Sequence, residues 1–365
     1  MESSIRNLFV TDHKLAAIPI WVVRTDRVAD WCGAHAGAHA AWVETAGFTG
    51  DAGKLLLLPD GAGGLGGVLF GLGAATDPFI YAALSEQLPA GTYRLVDLDE
   101  GAARHATLAW AMGAYTFEKY KQRNRTKPKL VVPDNVDLDE IVALAEAMTL
   151  TRDLVNTPTC DMAPADLEAA IARVAGAAGA TLSTICGDDL LTENYPMVHA
   201  VGRAAGPGAE PRLVDFTWGP EDAPKVTLVG KGVCFDTGGL NIKPGSSMGL
   251  MKKDMGGAAH VLALASLIMQ AKLHLRLRVL VPAVENAVSG NAFRPGDVLH
   301  SRKGLTVEIG NTDAEGRLIL ADALAEADSE APDLLIDMAT LTGAARVALG
   351  PDLPPFYTHD DAFSA

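Results

Sequence analysis

Lys225-Val226-Thr227-Leu228-Val229-Gly230 is an apolar run of the length of a strand, and the helical pattern Gly256–Gln270 follows it along the chain. Residues 275–281 then predict a second strand. A strand, a helix and another strand in this order are the building unit of a parallel sheet. We therefore expect an α/β fold in this part of the chain.

The same alternation continues on both sides of this unit. Helices are predicted at 165–177 and 318–327, and strands at 213–217 and 333–338. The pattern indicates a mixed, mostly parallel sheet that is flanked by helices on both faces.

The N-terminal part of the chain alternates apolar runs with helical stretches and predicts a small α/β domain. The apolar runs are 15–23, 54–58, 68–72 and 93–96, and the clearest helical stretch is 104–123. Gly61-Ala62-Gly63-Gly64-Leu65-Gly66 has the spacing of a dinucleotide-binding fingerprint. Because a strand rather than a helix is predicted after it, we interpret it as a glycine-rich hairpin.

A break in composition separates the two parts of the chain. It contains Lys127-Pro128 and Pro133-Asp134-Asn135, and a helical pattern at 138–155 follows. We expect an N-terminal α/β domain at 1–135, a connecting helix at 136–157 and a larger second domain at 158–365.

Composition bounds the classes of function. The chain has 365 residues, and its 30 Lys and Arg against 45 Asp and Glu give a formal net charge of −15, which argues against a nucleic acid or an anionic membrane as main partner. The four cysteines form no C-x-x-C pair and are interpreted as reduced thiols. The start, Met1 to Arg6, lacks the pattern of a secretory signal, so we expect a cytoplasmic protein.

Two segments concentrate charged residues where a fold does not need them. In the first, Val229 to Gly239 and on to Gly257, Lys231 and Asp236 fall just past the carboxyl end of an apolar strand, where open α/β sheets place their ligands. Asp254 stands at the start of a helix, where a helix N-cap is an alternative interpretation.

The second segment is Asn311-Thr312-Asp313-Ala314-Glu315-Gly316-Arg317-Leu318, which comes immediately before an amphipathic helix. In an extended segment, residues two apart share a face, so Asp313, Glu315 and Arg317 can point the same way. Two carboxylates on one face repel each other unless a cation lies between them. A charged helix start favoured by the helix dipole is the alternative interpretation.

Together the segments offer four carboxylates, which match the charge of two divalent ions. Hard oxygen ligands without Cys or His suit Zn²⁺, Mn²⁺ or Mg²⁺, so the pattern predicts a two-metal site. Lys231 ligates a metal only as the neutral amine, which requires its pKa to be strongly lowered by metal and burial. Lys243 and Arg317, left cationic, would stabilise an oxyanion. The four carboxylates are Asp236, Asp254, Asp313 and Glu315.

The segments V-G-K-G-x-x-F-D-T-G-G-x-x-I-K-P…K-x-D-M-G-G-A-A and N-T-D-A-E-G-R-L-I-L-A-D-A-L resemble the signatures of the leucyl aminopeptidase family of cytosolic metallopeptidases. The resemblance covers about 152–350 in detail. Further segments in the family's order are Leu154-Val155-Asn156-Thr157-Pro158, Met162-Ala163-Pro164, Pro295-Gly296-Asp297-Val298 and Ala339-Thr340-Leu341-Thr342-Gly343-Ala344.

The resemblance implies an aminopeptidase, a metal-dependent hydrolase that releases Leu-like N-terminal residues from peptides with a free N-terminus. It implies two metals bridged by Asp236 and Glu315. The exchangeable metal is also held by Asp313, and the tighter one by Lys231 and Asp254. The expected metals are Zn²⁺ or Mn²⁺, with Mg²⁺ or Co²⁺ as alternatives at the exchangeable site.

The resemblance also assigns roles to residues that do not bind metal. Lys243 is expected to polarise the scissile carbonyl, and Arg317 to hold a bicarbonate ion that acts as general base. Met251, Thr340 and Gly343 are expected to line the pocket for the first side chain of the substrate. A homo-hexamer is the family expectation.

Members of the family continue beyond the last matching segment, so we expect the catalytic domain to be C-terminally incomplete in this sequence. One alternative function is a catalytically weak family member that acts as an oligomeric binding or regulatory scaffold. Another is a different two-metal hydrolase such as a phosphoesterase. The motifs lack the His ligands that such enzymes usually use, His260 being the nearest histidine.

Overall fold

The computed structural model describes residues 5–35, 37–74 and 77–364. Residues 1–4, which begin the segment interpreted as lacking a secretory signal, lie outside the described residues. The chain divides into two compact units, Met1–Leu150 and Thr151–Ala365. Within the described ranges, no helix is both long and apolar enough to span a bilayer. The domain boundaries given above stay predictions.

The first unit is built on a six-stranded sheet. Its strands are β1 (Phe9–Val10), β2 (Ile18–Arg24), β3 (Leu55–Pro59), β4 (Leu65–Gly73), β5 (Thr92–Val96) and β6 (Lys129–Val131). They lie in the order β1-β6-β5-β2-β4-β3, and each neighbouring pair is parallel except β3 and β4. The antiparallel β3 and β4 are joined through Gly61–Gly66, which confirms the predicted hairpin.

Helices pack on this sheet around a core that includes Phe70, Tyr93 and Trp110, all of which are fully buried. The helices are α1 (Val28–Ala34), α2 (Ala38–Thr45), α3 (Ala82–Gln87), α4 (Glu100–Gly113) and α5 (Leu138–Asn156), which continues into the second unit. The prediction of a helix at 104–123 is wrong at its C-terminal end. Residues 118–126 are exposed and mostly polar, so they offer no apolar face for a helix to bury.

The second unit is built on a mixed sheet. The strands of this unit are β7 (Thr181–Cys186), β8 (Arg212–Trp218), β9 (Lys225–Gly230), β10 (Gly232–Asp236), β11 (Arg276–Asn286), β12 (Val298–His300), β13 (Thr306–Glu308) and β14 (Leu334–Met338). The main sheet has the order β14-β9-β11-β8-β7, and β10 pairs with β11 beyond the point where β9 does. β14, β9, β10 and β11 are parallel, whereas β8 is antiparallel to β11 and β7 is antiparallel to β8.

Helices flank this sheet, and the predicted fold class is confirmed. They are α6 (Pro164–Ala177), α7 (Asp189–Thr192), α8 (Pro196–Gly202), α9 (Gly245–Met248), α10 (Gly256–Gln270), α11 (Gly316–Ser329), α12 (Ala344–Leu349) and α13 (Asp361–Ser364). Val229, Val233, Leu280, Val284 and Ile319 are fully buried in one core cluster that joins sheet and helices.

Candidate metal centre

Charged residues gather at the carboxyl ends of the parallel strands in the second unit. Lys231 follows β9, Asp236 ends β10, and Thr340 comes two residues after the end of β14. Parallel strands end at the same edge of a sheet, so these residues lie close together although they are far apart in sequence. The loops before α10 and α11 add Asp254 and Glu315 at that edge.

The inner group of the site consists of Lys231, Asp254 and Glu315, whose side chains are each 2% exposed. The Lys231 Nζ donates to Asp254 Oδ2 at 2.7 Å and lies 3.0 Å from Glu315 Oε1. The other oxygen of Asp254, Oδ1, accepts from Thr340 Oγ1 at 2.8 Å and from Lys253 Nζ at 2.9 Å. One buried ammonium group therefore bridges two buried carboxylates.

The outer group consists of Asp236, Lys243 and Asp313. The Lys243 Nζ lies 2.9 Å from Asp236 Oδ2 and 2.5 Å from Asp313 Oδ1. The side chains of Lys243 and Asp313 are 13% and 32% exposed, so this group lies on the solvent side of the site. Ligand oxygens of Asp236, Asp313 and Glu315 lie within 4.8 Å of one another, so the two groups form one carboxylate cluster.

The two carboxylates at helix starts do not cap their helices. Asp254 lies in the 3-10 turn Met251–Met255, and its side chain faces Lys231 instead of free N–H groups of α10. Glu315 precedes α11 without making a side-chain cap hydrogen bond. The N-cap interpretation of Asp254 is therefore wrong, whereas a charged helix start favoured by the dipole stays an alternative interpretation of Glu315.

Gly316 allows the close approach of α11 to Lys231. A Cβ atom at this position would lie 2.5 Å from Lys231 Cε and 2.8 Å from its Nζ. Any larger residue would therefore push the ammonium group away from Asp254 and Glu315.

Burial and charge shift the pKa values in the cluster in different directions. Burial raises the pKa of Glu315 to about 7, and the carboxylates of Asp236 and Asp254 add to this effect while Lys231 opposes it. Burial also raises the pKa of Asp236. For Asp254, burial favours the neutral acid, but the ammonium groups of Lys231 and Lys253 hold its pKa below the ordinary value.

The lysines respond to the carboxylates around them. Burial alone would lower the pKa of Lys231, but Glu315 and Asp254 raise it above the ordinary value. The pKa of Lys243 is likewise raised by Asp313 and Asp236, against the effect of burial. Without metal, both lysines are charged and occupy positions between carboxylates. The lowering of the Lys231 pKa that metal ligation requires therefore depends on the metal rather than on burial.

The donor set fits divalent metal ions. Asp313 Oδ1 and Glu315 Oε1 each face a lysine ammonium group, at 2.5 Å and 3.0 Å respectively, so both oxygens already lie where a positive charge is accommodated. Carboxylate oxygens in this state are suited to a hard cation. Together with Asp236, Asp254 and the Lys231 amine, they could hold two such ions.

Four other predicted residues stand close to residues of the site along the chain or contact one of them. Arg317 is exposed in the first turn of α11. Met251 is half-buried in the turn that carries Asp254, and Gly343 is exposed just before α12. Thr340, predicted as a pocket residue, uses its hydroxyl group to hold Asp254. Its role in a substrate pocket stays a prediction, as do those of Met251 and Gly343.

Sequence reasoning missed two residues that contact the cluster and a third that holds one of these two in place. Lys253 donates to Asp254, Asn286 donates to Asp236, and Thr312 accepts from Asn286 through its carbonyl oxygen. Local sequence carried no signal for Asn286, because its position beside Asp236 depends on the pairing of β10 with β11.

Comparisons with known proteins show which proteins the chain resembles. Residues 149–365 match the family model described as "Cytosol aminopeptidase family, catalytic domain". Residues 18–133 match the model described as "M17 aminopeptidase, N-terminal domain". A protein of Leifsonia xyli subsp. xyli named a probable cytosol aminopeptidase is 39% identical over 329 residues, which cover 85% of this chain and 66% of that protein. The chain spans about half to two thirds of the length of the curated relatives it matches.

Solved structures give the same result. The crystal structure of the cytosol aminopeptidase from Coxiella burnetii is similar with a TM-score of 0.87 and 45% identity, covering 94% of this chain and 75% of that chain. The bottromycin maturation enzyme BotP in complex with Mn is similar with a TM-score of 0.78 and 34% identity, covering 92% of this chain and 75% of that one.

Proposed function

The chain belongs to the cytosol aminopeptidase family, and we propose that it is a metal-dependent aminopeptidase that releases N-terminal residues from peptides. The observation that carries the proposal is the carboxylate cluster, in which ligand oxygens of Asp236, Asp313 and Glu315 lie within 4.8 Å of one another. No second function is favoured by a specific feature of the cluster.

Two divalent ions would be held by Lys231, Asp236, Asp254, Asp313 and Glu315. When bound, they would supply an acidified water molecule as nucleophile and a Lewis acid for the scissile carbonyl. Zn²⁺ or Mn²⁺ fits the oxygen-rich donor set, with Mg²⁺ or Co²⁺ as alternatives at the exchangeable site. The outer group forms the exchangeable site, because the Asp313 side chain is more exposed than those of the inner group.

The two lysines of the cluster have different roles. Lys231 is 2% exposed and has its Nζ between Asp254 and Glu315, which suits a metal ligand. Lys243 lies on the solvent side, where substrate enters, and keeps its charge to stabilise the oxygen anion that develops on the scissile carbonyl. Arg317, exposed beside Glu315 in the chain, would hold a bicarbonate ion that accepts a proton from the attacking water.

The substrate is a peptide with a free N-terminus, since its neutral α-amine could bind to a metal ion held by the cluster. Met251, Thr340 and Gly343 would line the pocket for its first side chain and favour large aliphatic residues such as Leu. A cytoplasmic homo-hexamer is the assembly and location we propose, in line with the relatives that are named cytosol aminopeptidases.

Hydrolysis of leucine p-nitroanilide by the full chain tests the proposal. Activity should disappear on treatment with a chelator and return on addition of Mn²⁺ or Zn²⁺, and the N-acetylated substrate should not be cleaved. Asp313→Ala should lose activity, whereas the exposed Lys303→Ala should keep it. Chelator-resistant hydrolysis would contradict the proposal, and metal binding without hydrolysis would favour the scaffold alternative.

A further inference from the structure

Asn286 occupies a position beside the carboxylate cluster that no metal-ligand motif includes. It is the last residue of β11 and is fully buried. In the parallel ladder it pairs directly with Asp236, the last residue of β10. The register of the two strands therefore brings the amide side chain next to a predicted bridging carboxylate.

Both amide hydrogens of Asn286 are used at this place. Its Nδ2 donates to Asp236 Oδ1 at 2.8 Å and to the carbonyl oxygen of Thr312 at 3.1 Å. Both partners are acceptors only, so the opposite orientation of the amide would place oxygen against oxygen. The Asn286 Oδ1 is left without a hydrogen-bond partner. Both donated hydrogen bonds of the amide thus run to segments that carry candidate metal ligands.

These contacts decide which oxygen of Asp236 is turned towards a cation. Its Oδ1 accepts from Asn286 and from the backbone N–H of Gly238, both at 2.8 Å. Its Oδ2 faces the Lys243 ammonium group at 2.9 Å. The Asp236 carboxylate is therefore fixed with one oxygen occupied by protein donors and the other turned to the cation.

The same amide group connects the two segments that supply metal ligands. Thr312 precedes Asp313, and its hydroxyl group donates to the Gly238 carbonyl oxygen at 2.6 Å. Asn286 thus binds the Asp236 segment on one side and the Asp313 segment on the other. Together with the Thr312–Gly238 hydrogen bond, this double contact links the two segments that carry the carboxylates of the outer group.

We propose that Asn286 is a positioning residue that presents Asp236 Oδ2 and fixes the Asp313 segment for binding of the exchangeable metal ion. The inference rests on the proposed function, because it concerns the affinity of the same site. Residues that orient metal ligands through hydrogen bonds typically change metal affinity or activity about 10–100-fold when they are replaced.

Asn286→Ala and the similarly sized Asn286→Leu test the proposal in the full chain. Calorimetric titration with Mn²⁺ should show about a 10–100-fold increase of Kd at the weaker of two sites for both variants. At saturating Mn²⁺ most of kcat should return, and KM for leucine p-nitroanilide should stay unchanged. A purely structural role would instead lower thermal stability, more for Ala than for Leu, without a selective change of Kd.

Asn291→Ala is the matched control, because the Asn291 amide donates to the Arg203 carbonyl oxygen at 2.9 Å, outside the cluster. It should bind Mn²⁺ like the unchanged protein. If both Asn286 variants fail to fold, Asn286→Ser, which keeps one short donor, should give a Kd between those expected for Asn and Ala. Unchanged Mn²⁺ affinity in a folded Asn286 variant would overturn the inference. Absence of Mn²⁺ binding by the unchanged protein would instead overturn the proposed function.

Discussion

Replacing Lys243 with alanine should lower kcat by about 10²–10³-fold while the protein keeps its full metal content. The reason is that the lysine lies on the solvent side of the cluster and meets charge that develops only in the transition state. Its ammonium group also competes with a cation for Asp236 and Asp313, since it lies 2.9 Å and 2.5 Å from their oxygens. Metal affinity should therefore stay the same or increase.

The same substitution should lower the free energy of unfolding of the metal-free protein, because it removes the ammonium group between two carboxylates. Removing one partner of a buried ion pair costs about 3–5 kcal/mol because the other charge stays buried. The Asp313 side chain is 32% exposed, so we expect a value near the lower limit, about 3 kcal/mol. At about 2–4 °C per kcal/mol for a domain of this size, the Tm should fall by about 6–12 °C. With metal bound, the cations replace the ammonium group and the decrease should be smaller.

Three measurements check this prediction: turnover of leucine p-nitroanilide at saturating Mn²⁺, metal content by plasma mass spectrometry, and thermal unfolding with and without chelator. Lys303→Ala, an exposed lysine in the same unit, serves as control and should match the unchanged protein in all three. Loss of metal from Lys243→Ala would show that the lysine holds the metal, and the assigned role would be wrong. An unchanged kcat would equally refute the reasoning.

Thr340→Val removes the hydroxyl group that donates to Asp254. Urea unfolding of the metal-free protein should show that the free energy of unfolding falls by about 1.5–3 kcal/mol, and a decrease of less than about 0.5 kcal/mol would contradict this. Burial raises the pKa of Glu315 to about 7, so the folded protein binds more protons than the unfolded chain between its ordinary pKa and about 7. The stability of the metal-free protein should therefore fall as pH rises through this range, while Mn²⁺ affinity should rise. Calorimetry at several pH values measures both, and the opposite trend in either would contradict this prediction. An apolar pocket formed by Met251, Thr340 and Gly343 should favour the leucine over the glutamate anilide by at least about 10-fold in kcat/KM, and equal cleavage would refute the assignment.

Secondary structure was predictable from sequence where a strong pattern has clear ends. The predicted bounds of β9 and α10 agree with the structure, because an apolar run and an apolar helical pattern each end at glycine or polar residues. β10 was missed because Gly232 and Asp236 disfavour a strand by propensity. Pairing with β11 forms it nevertheless, and the same pairing extends β11 to Asn286, past the predicted end at 281.

The cluster itself was only partly predictable. Asp236, Asp254, Asp313 and Glu315 stand in recognisable segments, and the structure brings them together with Lys231. Their neighbours depend on which strands pair and in which register, and that information is not local. The contact of Asn286 with Asp236 follows from the register of β10 and β11, and the contact of Thr340 with Asp254 needs the position of β14 beside β9.

The central claim is that this cluster binds two metal ions. Anomalous diffraction from crystals of the full chain grown with Mn²⁺ tests it most directly. We predict two peaks about 3.5–4 Å apart, both within ligand distance of Asp236 and Glu315, with Lys231 and Asp254 at one and Asp313 at the other. The absence of peaks in the cluster at saturating Mn²⁺, or peaks only elsewhere in the molecule, would contradict the account.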